Sequence, residues 1–203
     1  MPEMDYSYSE RQMQQYRRFM HWVKTEGGME LPTQLSTMFQ ERQIARMNWL
    51  KLWARGTVLE VGCNFGLVLA WVGGHCGVDI NPANIDLARL LQPDKQFFVA
   101  DAVTLPFASA SYDTVMLPEV LEHLDWPQGV RQAIDEAKRV AKTQILITVP
   151  DGREDSADAC NFKHLWLMDE QRERQVQVWL PIHTTISHSW GFTLIRGVGE
   201  LAI

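Results

Sequence analysis

Cysteine is scarce: Cys63, Cys76 and Cys160 are the only three in 203 residues, and no two form a Cys-x-x-Cys pair. An odd, unpaired set supports neither a disulfide framework nor a zinc site, and it fits a reducing compartment. Long apolar runs are missing as well. The longest, from about Leu67 to Gly74, falls far short of the ~20 residues a membrane-spanning helix needs. The opening Met1-Pro2-Glu3-Met4-Asp5 has no basic-then-apolar signal pattern, so a cytoplasmic chain without a membrane partner is expected. Positive charge is in deficit, with 19 Lys and Arg against 25 Asp and Glu, a formal net charge of −6. No net field attracts a phosphate backbone, which speaks against DNA as a partner. Internal repeats and low-complexity tracts are absent. The remaining composition, 46% hydrophobic and 22% charged, suits one compact domain with a small terminal extension.

Residues 1–54 are rich in Met, Gln, Arg and aromatics, and Met38 to Leu50 spaces its apolar positions helically,. Gly27-Gly28 divides this extension into at least two helical pieces,. From residue 57 short apolar runs alternate with longer amphipathic ones, the pattern of a parallel sheet with crossover helices. The predicted strands are Thr57–Val61, Cys76–Ile80, Gln96–Ala100, Tyr112–Leu117 and Gln144–Val149, with a late strand at Phe192–Arg196,. After Asp79 a helix is capped by Asn81 and begun by Pro82, with Ile85, Ala88 and Leu91 on one stripe,. After Pro127 another helix buries Val130, Ala133, Ile134, Ala137, Val140 and Ala141 and turns Arg131, Asp135, Glu136, Lys138 and Arg139 to water,. Beyond Pro150 runs a long polar loop, and a charged helix begins near Asp169.

The segment Val58-Leu59-Glu60-Val61-Gly62-Cys63-Asn64-Phe65-Gly66 reads as a strand that ends in a carboxylate and turns through two glycines into a helix. Glycines at such a turn let a ligand approach the backbone. Asp79 ends the next strand, at a distance where a carboxylate can accept from ribose hydroxyls, and Asp101 follows the third,. Acids closing three successive parallel strands fall along one edge of the sheet, where ligands of such folds collect. Each acid taken alone is also compatible with an ordinary turn or helix cap. The loop lacks the third glycine of a dinucleotide fingerprint, which disfavours a nicotinamide enzyme, and Glu60 beside it discourages phosphate. A cationic centre next to an adenosine suits these residues, and S-adenosyl-L-methionine carries both.

From Thr57 to Pro150, with a weaker tail to Arg196, the chain resembles the class I S-adenosylmethionine-dependent methyltransferases. Glu60-x-Gly62-x-Asn64-x-Gly66 is similar to that family's first motif, and Val78-Asp79-Ile80 to its second. Ala100-Asp101-Ala102 with Leu105-Pro106-Phe107 is similar to the third, and Tyr112–Val115 through Glu119–Leu124 to the fourth. The resemblance implies an α/β fold: a Rossmann-like, mostly parallel sheet of about seven strands flanked by helices. The chain then divides into an N-terminal helical extension, 1–54, whose amphipathic pattern and position before the first strand predict a lid over the pocket, and an S-adenosylmethionine-binding domain, 55–203. Gly62, Cys63 and Gly66 would line the methionine portion, with Glu60 shaping the loop or meeting the ammonium. Asp79 would hold the ribose hydroxyls, Ile80 would pack on the adenine, Asp101 would accept from its amino group, and the Ala102 amide would reach a ring nitrogen. Asn64 stands where many relatives carry glycine, a replacement its tolerance of left-handed backbone permits. The family's sheet ends in an antiparallel pair, for which only Glu200–Ile203 remains as a last strand.

Methyl transfer to a hydroxyl needs a proton acceptor, and His123 and His164 compete for that role, both after strand ends,. Glu119 is a candidate for contact with cofactor or substrate, Glu122 and Asp125 for organising the following turn, and Trp166 for an apolar wall. His21, His75, His183 and His188 have no motif around them, and no ligand spacing supports a metal. The expected activity is methyl transfer to an oxygen of a small molecule or glycan. A protein or RNA methyltransferase, or an inactive cofactor-binding subunit, is the alternative, and an oligomer is left open. By resemblance, the fourth motif lacks the Asn/Asp-Pro-Pro-aromatic tetrad of nucleobase amino-group methylation.

Overall fold

The computed structural model describes residues 41–152, 165–180, 183–189 and 191–198. Its elements are α1 (Glu41–Trp53), β1 (Val58–Val61), α2 (Leu67–Val72), β2 (Cys76–Asp79), α3 (Pro82–Leu91), β3 (Gln96–Val99) and β4 (Tyr112–Pro118). A 3-10 turn (Leu121–His123), α4 (Gln128–Val140), β5 (Ala141–Pro150), α5 (Glu170–Trp179), β6 (His183–Ser189) and β7 (Phe192–Val198) follow.

One seven-stranded sheet runs in the order β3-β2-β1-β4-β5-β7-β6. The five strands from β3 to β5 are parallel, and β7 is antiparallel to both β5 and β6. This is the expected Rossmann-like sheet, with the strand order reversing between β1 and β4. Alternation along β4 decides what each face buries. Val115 and Leu117 join Leu59, Val61, Ile145, Ile147 and the apolar stripe of α4, all fully or nearly buried. Met116 points the other way, with Val58 and Leu146, to Ile44, Met47 and Leu50 of α1. Thus α1, the last part of the 1–54 extension expected to act as a lid, is a flanking helix of the sheet; residues 1–40 of that extension lie outside the described residues.

Local chemistry sets the helix boundaries. The Asn81 side chain accepts from the Ala83 amide at 3.0 Å and Pro82 opens α3, while Asp169 caps α5 by accepting from Arg172 at 2.8 Å,. Three expectations need correction. Ala141 is not the end of α4 but the first residue of β5, because the helix passes into the strand with no intervening turn. Glu136 and Arg139 do more than face water: Glu136 accepts from the Leu105 amide at 2.7 Å, and Arg139 donates to the Phe107 and Leu105 carbonyls, which fastens the 105–107 loop to α4. The antiparallel pair that ends the sheet is β6 with β7, with Ser189 opposite Phe192 and His183 opposite Val198. The pair is complete by Val198, so Glu200–Ile203, which lie outside the described residues, are not needed to form it.

Candidate cofactor site and its acidic rim

Sheet register gathers the site. Glu60 pairs with Gly77 and with Met116, Asp79 with Val99, and Pro118 with Thr148. The carboxyl ends of β1, β2, β3 and β4 therefore lie along one edge, with Glu60, Asp79, Asp101 and Glu119 at or just past them. Between β1 and α2 the backbone takes left-handed angles at Gly62 (φ 70), Asn64 (φ 49) and Gly66 (φ 75). Asn64 thus fills a left-handed position without being glycine. The glycines have a reason other than ligand approach: a Cβ on Gly62 would meet the Val120 side chain at 2.5 Å, and one on Gly66 the Phe97 ring at 2.7 Å. Packing inside the protein and the sign of φ both demand glycine here.

The loop is tied down by its neighbours. The Cys63 amide donates to Val78 O at 2.8 Å, and the Asn64 amide donates to Asp79 Oδ2 at 2.9 Å. Asp79 Oδ1 accepts from the Asn81 amide at 2.9 Å and from Asn84 Nδ2 at 3.2 Å. Asp79 is therefore locked at the head of α3 by three protein donors, and its two oxygens retain room for a further donor. Asn84 is a residue the motif reading missed. Asp101 closes its own turn, accepting from Val103 N at 3.1 Å. Ile80 is 67% exposed at this edge, a large apolar side chain that the fold itself does not cover.

Cys63 is buried and its thiol is pushed far up, by burial first and then by the Glu60 and Asp79 charges, so it is inert,. Glu60 is 1% exposed. Its carboxyl receives the Leu69 amide in the first turn of α2, yet burial raises it well above the ordinary range, against the opposing pull of Arg46. Glu60 Oε2 and Asn64 Oδ1 are buried without a hydrogen-bond partner among the described residues. Orphaned acceptors beside a glycine turn, an exposed Ile80 and carboxylates on three strand ends fit a ligand that brings hydroxyl and cationic donors together with a flat apolar ring. Adenosine joined to an amino acid and a sulfonium meets that description, so S-adenosylmethionine fits the residues present.

A second group of charges stands beside β4. Glu119 has φ 55, a strained value for a residue other than glycine,. Its Oε1 accepts from Thr148 Oγ1 at 3.1 Å and faces Arg46 Nη1 at 4.0 Å. Arg46 comes from α1, is 4% exposed, donates to Thr148 Oγ1 at 3.4 Å and lies 5.4 Å over the Phe192 ring. Burial raises Glu119, opposed by Arg46, the Thr148 hydroxyl and Arg42. Glu122, on the 3-10 turn, is fully buried and neither carboxyl oxygen has a partner from another described residue. Asp125 accepts from the Gly129 amide at the head of α4. His123 is exposed on the same turn, and His164 lies outside the described residues.

Sequence reasoning also missed a cluster at the end of β5. Asp151, 2% exposed, accepts from Thr193 Oγ1 at 3.2 Å and meets His188 Nδ1 at 3.0 Å, while His188 Nε2 stands 3.3 Å from Glu173 Oε2. The only signal was an Asp directly after a buried strand. Trp166 is 7% exposed, donates to Leu124 O at 2.9 Å and packs edge-on against Trp126 at 5.0 Å. It closes the chain onto the β4 turn as an interior wall.

A family profile described as a methyltransferase domain matches residues 59–147. The methyltransferase GfsG of Streptomyces halstedii is 31% identical over 87 residues, covering 37% of this chain and 31% of that protein. The chain thus matches about a third of the length of this curated relative. Among solved structures, a SAM-dependent methyltransferase from Thermotoga maritima described as a possible histamine N-methyltransferase superposes with a TM-score of 0.68 at 14% identity, covering 91% of this chain and all (100%) of that one. The magnesium protoporphyrin IX methyltransferase of Synechocystis PCC 6803, solved with bound SAH, gives 0.60 at 16% identity, covering 94% and 95%. At these identities the two structures attest the fold, and the profile attests the domain. Residues 59–147 therefore match a methyltransferase domain, on a fold shared with S-adenosylmethionine-dependent methyltransferases.

Proposed function

We propose that the protein transfers the methyl group of S-adenosylmethionine to an oxygen of a small molecule or glycan. The observation that carries the reading is the acidic rim: Glu60, Asp79 and Asp101 at three adjacent strand ends, with Asn64 N held 2.9 Å from Asp79. Asp79, fixed by three internal donors, presents a preset acceptor to the ribose hydroxyls, and Ile80 offers the face on which the adenine lies. Glu60 and the left-handed turn at Gly62, Cys63, Asn64 and Gly66 hold the amino-acid end, and Asp101 and the Ala102 amide the base.

When bound, the cofactor supplies a methyl on a cationic sulfur that departs as a neutral thioether, so no acid is required. The protein's part is alignment and exclusion of water, which can supply much of the barrier reduction. Glu119 and His123, past the end of β4, are the described groups available to take a hydroxyl proton. Two of the similar proteins carry small molecules in their names, histamine and magnesium protoporphyrin IX. The chain's negative balance favours such acceptors over a nucleic acid,. Isothermal titration with S-adenosylmethionine should show saturable binding, and an absence of heat at millimolar cofactor would overturn the reading.

A further inference from the structure

Three carboxyls and one guanidinium are brought together under the acidic rim. Glu60 comes from β1, Glu119 and Glu122 from the segment after β4, and Arg46 from α1. The Arg46 charge acts on all three acids. Its direct contacts go to Gln43, Thr148, Glu119 and the Phe192 ring. Glu122 is left at 0% exposure, with neither oxygen partnered by another described residue. Facing it are Glu119 from its own segment, its own backbone amide and Arg46 from α1, the last two favouring the ionised form. The chain at Leu165 contributes only a backbone amide, which goes to the Glu122 carbonyl at 2.8 Å. Arg42 also faces Glu119, while Asp79 and Lys95 also face Glu60.

A buried carboxylate with no donor costs several kcal/mol, and such a group keeps its proton instead. We propose that Glu122 holds a proton in the free protein and releases it to solvent when a cationic ligand enters beside Glu60 and Glu119. The inference rests on the reading of that ligand as S-adenosylmethionine. The exchange balances: the Glu122 O–H bond breaks, its electron pair stays on the carboxylate, the proton passes to the buffer, and the positive charge of the sulfonium takes its place. The enclosed charge is the same before and after. Val120, one residue from Glu119, packs against Gly62 of the cofactor loop, which brings the Glu119–Glu122 segment against the site. Burial raises Glu122 well above its ordinary range, and the Glu119 charge adds to it, in the direction the exchange requires.

The sulfonium can be switched off without changing the rest of the ligand, because S-adenosylhomocysteine keeps the adenosine, ammonium and carboxylate and lacks only that charge. Calorimetric titration of the whole protein near neutral pH, with each ligand in phosphate and in Tris, reads protons released from the difference between buffers. S-adenosylmethionine should release up to about one proton more than S-adenosylhomocysteine, and Glu122→Gln should still bind both ligands while losing the difference. Equal proton counts for the two ligands in the native protein would overturn the proposal whether or not the variant folds. So would a Glu122→Gln protein that keeps the difference. Absence of heat with either ligand would remove the cofactor reading itself, and this proposal with it.

Discussion

A buried acid that keeps its proton leaves a mark on stability that can be measured with no ligand at all. Glu122 is raised well above its ordinary 4.5 by burial and by Glu119. Above that value the unfolded chain gives up the proton and the folded chain retains it, so the folded state binds more protons and stability falls as pH rises. The loss begins near 4.5 and continues until the folded Glu122 itself ionises. Within the window the slope is about 1.4 kcal/mol per pH unit for each such group. Glu60 and Glu119 are raised in the same direction by their own burial, so the native protein's slope is steeper than that of one group alone.

Glu122→Gln deletes one of these slopes and leaves the others. Above about pH 4.5 the variant should gain on the native protein with rising pH, at up to about 1.4 kcal/mol per unit, until the folded Glu122 ionises. Any cost of the unpartnered amide is a constant offset, so the diagnostic is the difference in slope. Asp113 and Glu136 are lowered, by hydrogen bonds from Thr57 and from Arg139 respectively. Their contribution is present above the ordinary carboxylate range and disappears as pH falls, outside this window. Urea unfolding at a series of pH values, followed by fluorescence of the 8 tryptophans, gives the slopes directly. Parallel pH–stability curves for the native protein and the variant would refute the reasoning.

Two further outcomes follow from the loop. Gly66→Ala puts a side chain at φ 75 with its Cβ 2.7 Å from the buried Phe97 ring; the conformational penalty alone is about 1–2 kcal/mol, so melting should fall by at least several degrees, and an unchanged melting temperature would contradict the packing account of this glycine. Asp79→Ala removes the acceptor of three internal donors and should cost about 1–3 kcal/mol of stability together with at least a tenfold loss in affinity for S-adenosylhomocysteine by titration. Intact affinity would separate Asp79 from the cofactor.

The parallel half of the sheet was legible because its strands are short apolar runs, buried on both faces in β1 and β2 and through most of β4 and β5, and apolar in sequence even at the exposed edge strand β3. The strand β6 was not, since His183-Thr184-Thr185-Ile186-Ser187-His188-Ser189 lies at the sheet edge and needs only one face of apolar contact,. The start of β5 was hidden the same way, where exposed Lys142 and Thr143 stand directly after α4. At the site, strand-end acids were readable because a motif orders residues along the chain and parallel register then brings their ends together. The glycines were placed correctly for an incomplete reason, as the neighbours that exclude a side chain, Val120 and Phe97, are 58 and 31 residues away in sequence from Gly62 and Gly66. Arg46 and His188 were passed over because nothing near them in sequence carries the opposite charge they meet in space. A chain-wide count of 25 acids and 19 bases averages over such places. The excess of acids over bases matters at one enclosed spot, where Arg46, 73 residues before Glu119 in the chain, leaves the Glu122 carboxyl without a partner from another described residue. There the deficit of positive charge becomes a demand for a proton or for a cation.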